Sequence, residues 1–158
     1  MAPTDPAPKS TSLLTDHYEL TALEAALGSG VAHCTATFEL FARRLPRGRR
    51  YGVAAGTARA IEAVAAFRFD DEDLEHLRAT GVVSDQTIEH LAGFAFSGDI
   101  DGYAEGELYF PHSPVLTVTA PFAEAMVLET VLLSVFNHDS AVASAAARMR
   151  VAAGDRFL

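Results

Sequence analysis

Apolar side chains recur at helical spacing at Leu20, Leu23 and Leu27, and Gly28 and Gly30 follow as stop signals. The spacing predicts a first helix opening at Thr15 or Asp16. Asp16 as N-cap places Glu19 three positions on, in a capping-box arrangement. Leu13 and Leu14 extend the face that this helix must bury. Period-two alternation then sets in over 33–42: Cys34, Ala36, Phe38 and Leu40 share one face of a strand, and Thr35, Thr37, Glu39 and Phe41 the other. An arginine-rich turn over 43–50, built around Pro46 and Gly48, ends it. Residues 57–67 suit a helix. Seven alanines between Ala54 and Ala66 leave it little bulk, so it packs close to its neighbour.

Two short helices are expected next. One is capped at Asp70 or Asp71, with Leu74 and Leu77 inward and Gly81 near its end. The other is capped at Ser84, with Ile88 and Leu91 inward. From 96 to 119 the pattern turns to strands divided by Gly98, Gly102, Gly106, Pro111 and Pro114, which fits a compact antiparallel unit. Pro121 suits the first position of a helix. Residues 122–153 are helical in composition, and 126–136 are apolar on most sides, as in a core helix. Asn137, His138 and Asp139 are expected to break this stretch, with a second helix over 140–153. Ahead of all these elements, Pro3, Pro6 and Pro8 make 1–12 a mobile arm by expectation. The last residues, Phe157 and Leu158, read as the start of an apolar run that continues, so the chain is expected to be a fragment. Cut free, the last helices are expected to leave an apolar patch that promotes association.

Length and composition bound the possibilities. The chain has 158 residues, 49% of them hydrophobic, which excludes disorder throughout and allows one domain with a real core. Its net charge of −9 argues against general nucleic-acid binding, and its one concentrated basic patch is Arg43, Arg44, Arg47, Arg49 and Arg50. A single cysteine, Cys34, allows neither an internal disulfide nor a thiolate zinc cluster. No apolar run is long enough to span a membrane, and the N-terminus does not read as a secretory leader; a cytoplasmic location is the expectation.

Chemistry-bearing motifs are sparse. No dinucleotide, P-loop, C-x-x-C or H-E-x-x-H pattern is present, and the six histidines lack metal-ligand spacing. The acidic residues near 70–73 read as caps and solvated surface. His138 beside Asp139 reads either as a proton-transfer pair or as an interhelical cap. Asp16, His17 and Tyr18 sit at a helix start. A planar ligand could stack on Tyr18 while Asp16 accepts a hydrogen bond, or the pair is simply a cap and a buried aromatic.

Four ordered segments carry a resemblance. LLTDHYELTALEAAL (13–27) resembles the opening of nicotinate phosphoribosyltransferases. FELFARRLPRGRRYGVAAG (38–56) is similar to the family's F-x-x-x-x-R-x-x-P segment and the glycine after it. FSGDIDGYAEGELYFPHSPVLTVTAPFAEAMVLET (96–130) resembles its G-D-x-x-x-x-x-E-G-x-x-x-F-P-x-x-P-x-L-x-V stretch and the helix opening L-E-T, and NHDSAVASAAARMR (137–150) its next helix.

The resemblance implies an α+β fold: an N-terminal α/β domain of a type II phosphoribosyltransferase over 13–120, a crossover near 121, and the first helices of a truncated α/β barrel over 121–158. It implies ATP-coupled transfer of a phosphoribosyl group from 5-phosphoribosyl 1-diphosphate to nicotinate, a step of NAD biosynthesis. Mg2+ accompanies the diphosphate, and the subunits form a head-to-tail homodimer. The phosphorylated histidine and the phosphate loops would lie past residue 158, so this segment alone is expected to be inactive, with no catalytic residue and no metal or cofactor of its own. Asp16 and Tyr18 match positions that reach the neighbouring subunit's site, where they stack and position the pyridine ring. Ala22 stands where the family commonly has methionine, a packing change. Arg148 matches a family arginine at a helix end, which implies a substrate-phosphate or structural role, and an i→i+4 link to Ser144 fits its spacing equally. The rival expectations are a nicotinamide or quinolinate phosphoribosyltransferase and a non-catalytic dimerisation or regulatory module.

Overall fold

The computed structural model describes residues 11–156, and the arm expected at 1–12 falls outside the described residues except for Thr11 and Ser12. Ser12 is fully buried in a short 3-10 turn, Ser12–Leu14, and its hydroxyl donates to Asp73 Oδ2 at 2.6 Å. Helix α1 (His17–Ser29) follows and ends at Gly30 in the left-handed region. Strand β1 (Thr35–Phe41) alternates exposed and half-buried residues on the faces expected from its sequence. After the arginine turn come a two-residue strand β2 (Gly52–Val53) and helices α2 (Thr57–Ala66), α3 (Asp71–Thr80) and α4 (Asp85–Ala92). Strands β3 (Asp99–Gly102), β4 (Leu108–Tyr109) and β5 (Pro114–Pro121) lead into α5 (Phe122–Met126) and the long α6 (Glu129–Ala153).

Two antiparallel sheets result. The larger has the order β1-β5-β3, with Phe38 opposite Val118 and Ile100 opposite Val118 from the other side. The smaller pairs β2 with β4. The central strand β5 buries Val115, Leu116, Val118 and Ala120. Its core is shared with Leu20 and Leu23 of α1, Leu77, Ile88 and Leu91 of α3 and α4, and Leu132 and Phe136 of α6. Phe67, Phe69 and Phe94 form an edge-to-face cluster with centroids 5.2–6.3 Å apart that closes the side near α2. The architecture is therefore a mixed helix-and-sheet domain. Among the described residues no helix is long and apolar enough to cross a membrane.

Three local expectations are corrected. Asn137, His138 and Asp139 do not break the last helical stretch, because α6 runs through them. Their side chains do not compete for the helix backbone: Asp139 instead pairs with Arg59 of α2 at 3.0 Å. The break comes earlier, at Val127 and Leu128, where Leu128 N–H bonds Ala125 C=O, one residue short of the α-helical ladder. Both residues are buried, so tertiary packing sets the turn without a glycine or proline. Pro121 is the N-cap of α5, one position earlier than its ring geometry suggested. Asp16 is the N-cap of α1 but makes no side-chain cap bond: the Glu19 N–H donates to the Asp16 C=O at 3.0 Å, and the Glu19 side chain turns into the core. The capping box forms instead at α3, where Asp70 and Asp73 exchange bonds of 3.0 and 3.1 Å.

Candidate functional site

The first turn of α1 presents Asp16 and Tyr18 outward, while Glu19 turns inward. Tyr18 is 47% exposed, and its hydroxyl hydrogen-bonds to Glu129 at the start of α6. Partial desolvation, that hydrogen bond and the surrounding charges of Glu129, Glu19 and Asp16 all push the phenol upward from its usual range. The ring is therefore a neutral, half-exposed aromatic surface whose hydroxyl is tethered at one end. Such a ring can stack on a planar ligand and takes no part in proton exchange near neutrality.

Glu19 holds this turn in place. Its side chain is fully buried, and its carboxylate accepts from the Thr15 hydroxyl, the Thr130 hydroxyl and, at 3.1 Å, the Thr130 backbone N–H. Thr130 lies in the first turn of α6, so the carboxylate also meets free donors at a helix N-terminus. Burial nonetheless lifts its pKa; the hydrogen bonds from Thr130 and Thr15 oppose this only in part, and the nearby Glu129 charge adds to the rise. Glu19 thus ties α1 to α6 between the two outward residues Asp16 and Tyr18. Glu19 is therefore not the local cap partner that its spacing from Asp16 suggests. The signal for burial was present, since Glu19 falls on the same helix stripe as Leu23 and Ala26.

Beside this contact, Glu129, Leu132 and Leu133 of α6 face Phe38 and Leu40 of β1 across a small pocket of about 140 Å³. A larger cleft of about 440 Å³ continues along α6, between the end of β1, the arginine turn and the helix. The two share Leu40 and Leu133 as lining residues.

Arg148 lies elsewhere. Its guanidinium donates to Ser144 C=O at 2.6 Å and to Tyr51 C=O at 2.9 Å, and it stands 5.4 Å from the Tyr51 ring centroid. The i→i+4 link to Ser144 is therefore present. Ser144 and Ser140 continue the same stripe: Val53 N–H donates to Ser144 Oγ at 2.9 Å and Ala55 N–H to Ser140 Oγ at 3.1 Å. Gly56 next to them caps α2 with φ of 104°. A Cβ there would come within 3.0 Å of Val135, so the close helix approach requires glycine. Nineteen residues of α6 separate Glu129 from Arg148, about 28 Å of rise. Within one chain, then, Asp16 and Tyr18 lie at the start of α1, and Arg148 does not join them.

His138 Nδ1 sits 2.8 Å from Asp139 Oδ1, the oxygen that also holds Arg59 at 3.0 Å. The pair is mid-helix and committed to α2, which removes the interhelical-cap reading. Among the described residues no group of three His, Cys, Asp or Glu side chains is placed to hold a metal ion.

A family model described as nicotinate phosphoribosyltransferase (NAPRTase) N-terminal domain matches residues 13–137. Nicotinate phosphoribosyltransferase pncB1 of Mycobacterium tuberculosis is 60% identical over 98% of this chain and 33% of its own length. The Bacillus subtilis nicotinate phosphoribosyltransferase is 40% identical over 92% of this chain and 30% of its own. The crystal structure of human nicotinic acid phosphoribosyltransferase superposes with a TM-score of 0.82 at 34% identity, covering 90% of this chain and 29% of that one. A nicotinate-nucleotide pyrophosphorylase from Pyrococcus furiosus shares the fold, with a TM-score of 0.67 at 20% identity over 97% of this chain and 32% of that one. The chain spans about a third of the length of the curated relatives it matches. From the turn ahead of α1 into the first half of α6, this chain matches the nicotinate phosphoribosyltransferase family, and it belongs to that family, whose N-terminal domain it carries.

Proposed function

We propose that this chain is the N-terminal third of an enzyme that makes nicotinate mononucleotide from nicotinate and 5-phosphoribosyl 1-diphosphate, coupled to ATP, in the cytoplasm. The carrying observation is 60% identity to a nicotinate phosphoribosyltransferase across nearly the whole chain. The reaction joins the pyridine nitrogen to the ribose carbon as diphosphate leaves. The ribose carbon gains positive character and the leaving oxygens negative charge, so the leaving group needs Mg2+ or cationic donors around it. The described residues offer no metal-ligand group. No step through Mg2+ is therefore assigned to these residues.

The role assigned to this chain is to position the pyridine. Tyr18 supplies a neutral, tethered ring for stacking, Asp16 an exposed acceptor beside it, and Glu19 the buried anchor that fixes both. Arg148 stays a clamp on the backbone at Tyr51. A head-to-tail homodimer, in which Asp16 and Tyr18 complete the neighbouring subunit's site, accounts for their separation from Arg148 along α6. Val142, Met149 and Val151 stand exposed on the second half of α6, where a barrel domain in the whole enzyme would cover them.

The test is a substrate panel on the full-length protein. Turnover with nicotinate, exceeding that with nicotinamide or quinolinate, is expected, together with no turnover by the 158-residue chain alone. Preference for another pyridine, or a full-length protein without turnover, would refute the reading.

A further inference from the structure

The arginine turn is the concentrated basic patch of an acidic chain, and the pyridine-positioning role does not use it. Arg43, Arg44, Arg47, Arg49 and Arg50 make no ion pair among the described residues. Two of them, Arg44 and the half-buried Arg49, line the 440 Å³ cleft beside α6. The other walls are Tyr51 and Tyr109 on one side and Asn137 and Ser140 on the other. Gly52 lets the Tyr109 ring lie directly over β2, since any Cβ there would run into the ring. Tyr51 is held from beneath by Arg148.

The lining contains no aspartate or glutamate, although the chain has 21 of them and a net charge of −9. A cleft with cationic groups, neutral hydrogen-bonding walls and an apolar floor concentrates positive potential, because its low-dielectric sides weaken screening. Guanidinium groups match phosphate oxygens with paired donors. The volume lies within the range of small-molecule sites, about 300–1,000 Å³.

Position ties the cleft to Tyr18. Its lining shares Leu40 and Leu133 with the small pocket at Glu129, where the Tyr18 hydroxyl is tethered. Eight residues of α6 separate Glu129 from Asn137, about 12 Å of rise. A sugar phosphate extending from a ring stacked at Tyr18 would cross that interval. We propose that Arg44 and Arg49 form a phosphate-binding subsite in this cleft, which receives a phosphate group of a phosphorylated substrate bound beside Tyr18. The assignment rests on the proposed phosphoribosyl transfer and deepens it. The phosphate belongs either to the phosphoribosyl donor or to ATP.

The experiment compares the full-length protein with its Arg44→Gln/Arg49→Gln variant, and with Arg47→Gln as a control lying outside the cleft lining. Affinity for inorganic diphosphate is measured by calorimetry, alongside KM for each substrate. The double variant is expected to weaken diphosphate binding and to raise KM for one phosphorylated substrate by about tenfold, leaving KM for nicotinate within about twofold. A rise for 5-phosphoribosyl 1-diphosphate identifies the donor, and a rise for ATP identifies the nucleotide; either supports the subsite. Unchanged diphosphate affinity and unchanged KM values would overturn it, as would an equal effect of Arg47→Gln. Should the glutamine pair unfold, Arg44→Lys/Arg49→Lys keeps the charge and removes the paired donors, with a smaller loss in the same direction expected and no loss counting against the subsite. If the wild-type protein forms no nicotinate mononucleotide, the functional reading fails, while the calorimetry still decides the cleft.

Discussion

The two halves of α6 attach to the fold by different means. The first half, from Glu129 to Phe136, buries Leu132, Val135 and Phe136 in the core beneath β5. The second half contributes no large apolar side chain to that core and leaves Val142, Met149 and Val151 exposed. It is fastened by Ser140, Ser144 and Arg148, spaced four residues apart, whose polar atoms meet the backbone at Tyr51, Val53 and Ala55. Apolar packing is strong and tolerant of direction. A polar stripe on a backbone is weaker per contact but fixes register, because every donor must find its acceptor.

Phe136→Ala is the sharpest way to break the first half. It removes a ring that is 2% exposed and leaves a cavity, so a loss of about 3–5 kcal/mol is expected in denaturant unfolding. A loss below about 1 kcal/mol would mean that α6 is not held by packing.

Glu19 is a polar anchor at the head of the apolar half, and its replacement separates hydrogen bonding from charge. Glu19→Ala strands the Thr130 donors and is expected to cost about 2 kcal/mol, and Glu19→Gln less, since its amide oxygen can still accept. The pH dependence gives a second reading. The folded pKa of Glu19 is raised, so the folded state holds its proton above the unfolded carboxylate value of about 4.3. Its contribution is complete below that value and is lost as pH rises through the folded pKa. Melting temperature followed across this window should fall more steeply in the wild type than in Glu19→Gln, and parallel curves would contradict the raised pKa.

The smallest expected change is in the second half. Ser144→Ala leaves Val53 N–H without its acceptor and should cost about 1–2 kcal/mol, with faster amide exchange at Val53. Unchanged exchange there would mean that the stripe does not hold β2.

These differences also mark what was legible in the sequence. Burial of Leu20, Leu23, Leu74 and Leu77, and alternation along β1, follow from apolar period and stand as expected. The turn at Val127 and Leu128 carries no glycine or proline, and only the packing of distant elements makes it, so local pattern missed it. The polar trio at Asn137 to Asp139 looked like a break because its partner, Arg59, is 80 residues away from Asp139 in the chain. Asp16 and Tyr18 are singled out by resemblance to a family, and the structure shows both exposed at the start of α1, whereas the burial of Glu19 is masked by a local cap explanation. The serine stripe was hidden because its partner is backbone, which leaves no trace in residue type.

The stripe has one more consequence. Alternate backbone groups of the 53–55 segment point in opposite directions: Ala54 N–H pairs with Glu107 C=O on the β4 side, while Val53 and Ala55 N–H meet the serines of α6. The helix therefore occupies the β2 margin of a two-stranded sheet, where another strand would otherwise add. Two hydroxyls on this margin do the work of a neighbouring strand without offering its continuation. The β2 edge of this two-stranded sheet is thereby closed to recruitment by a second polypeptide, and that protection travels with α6 itself.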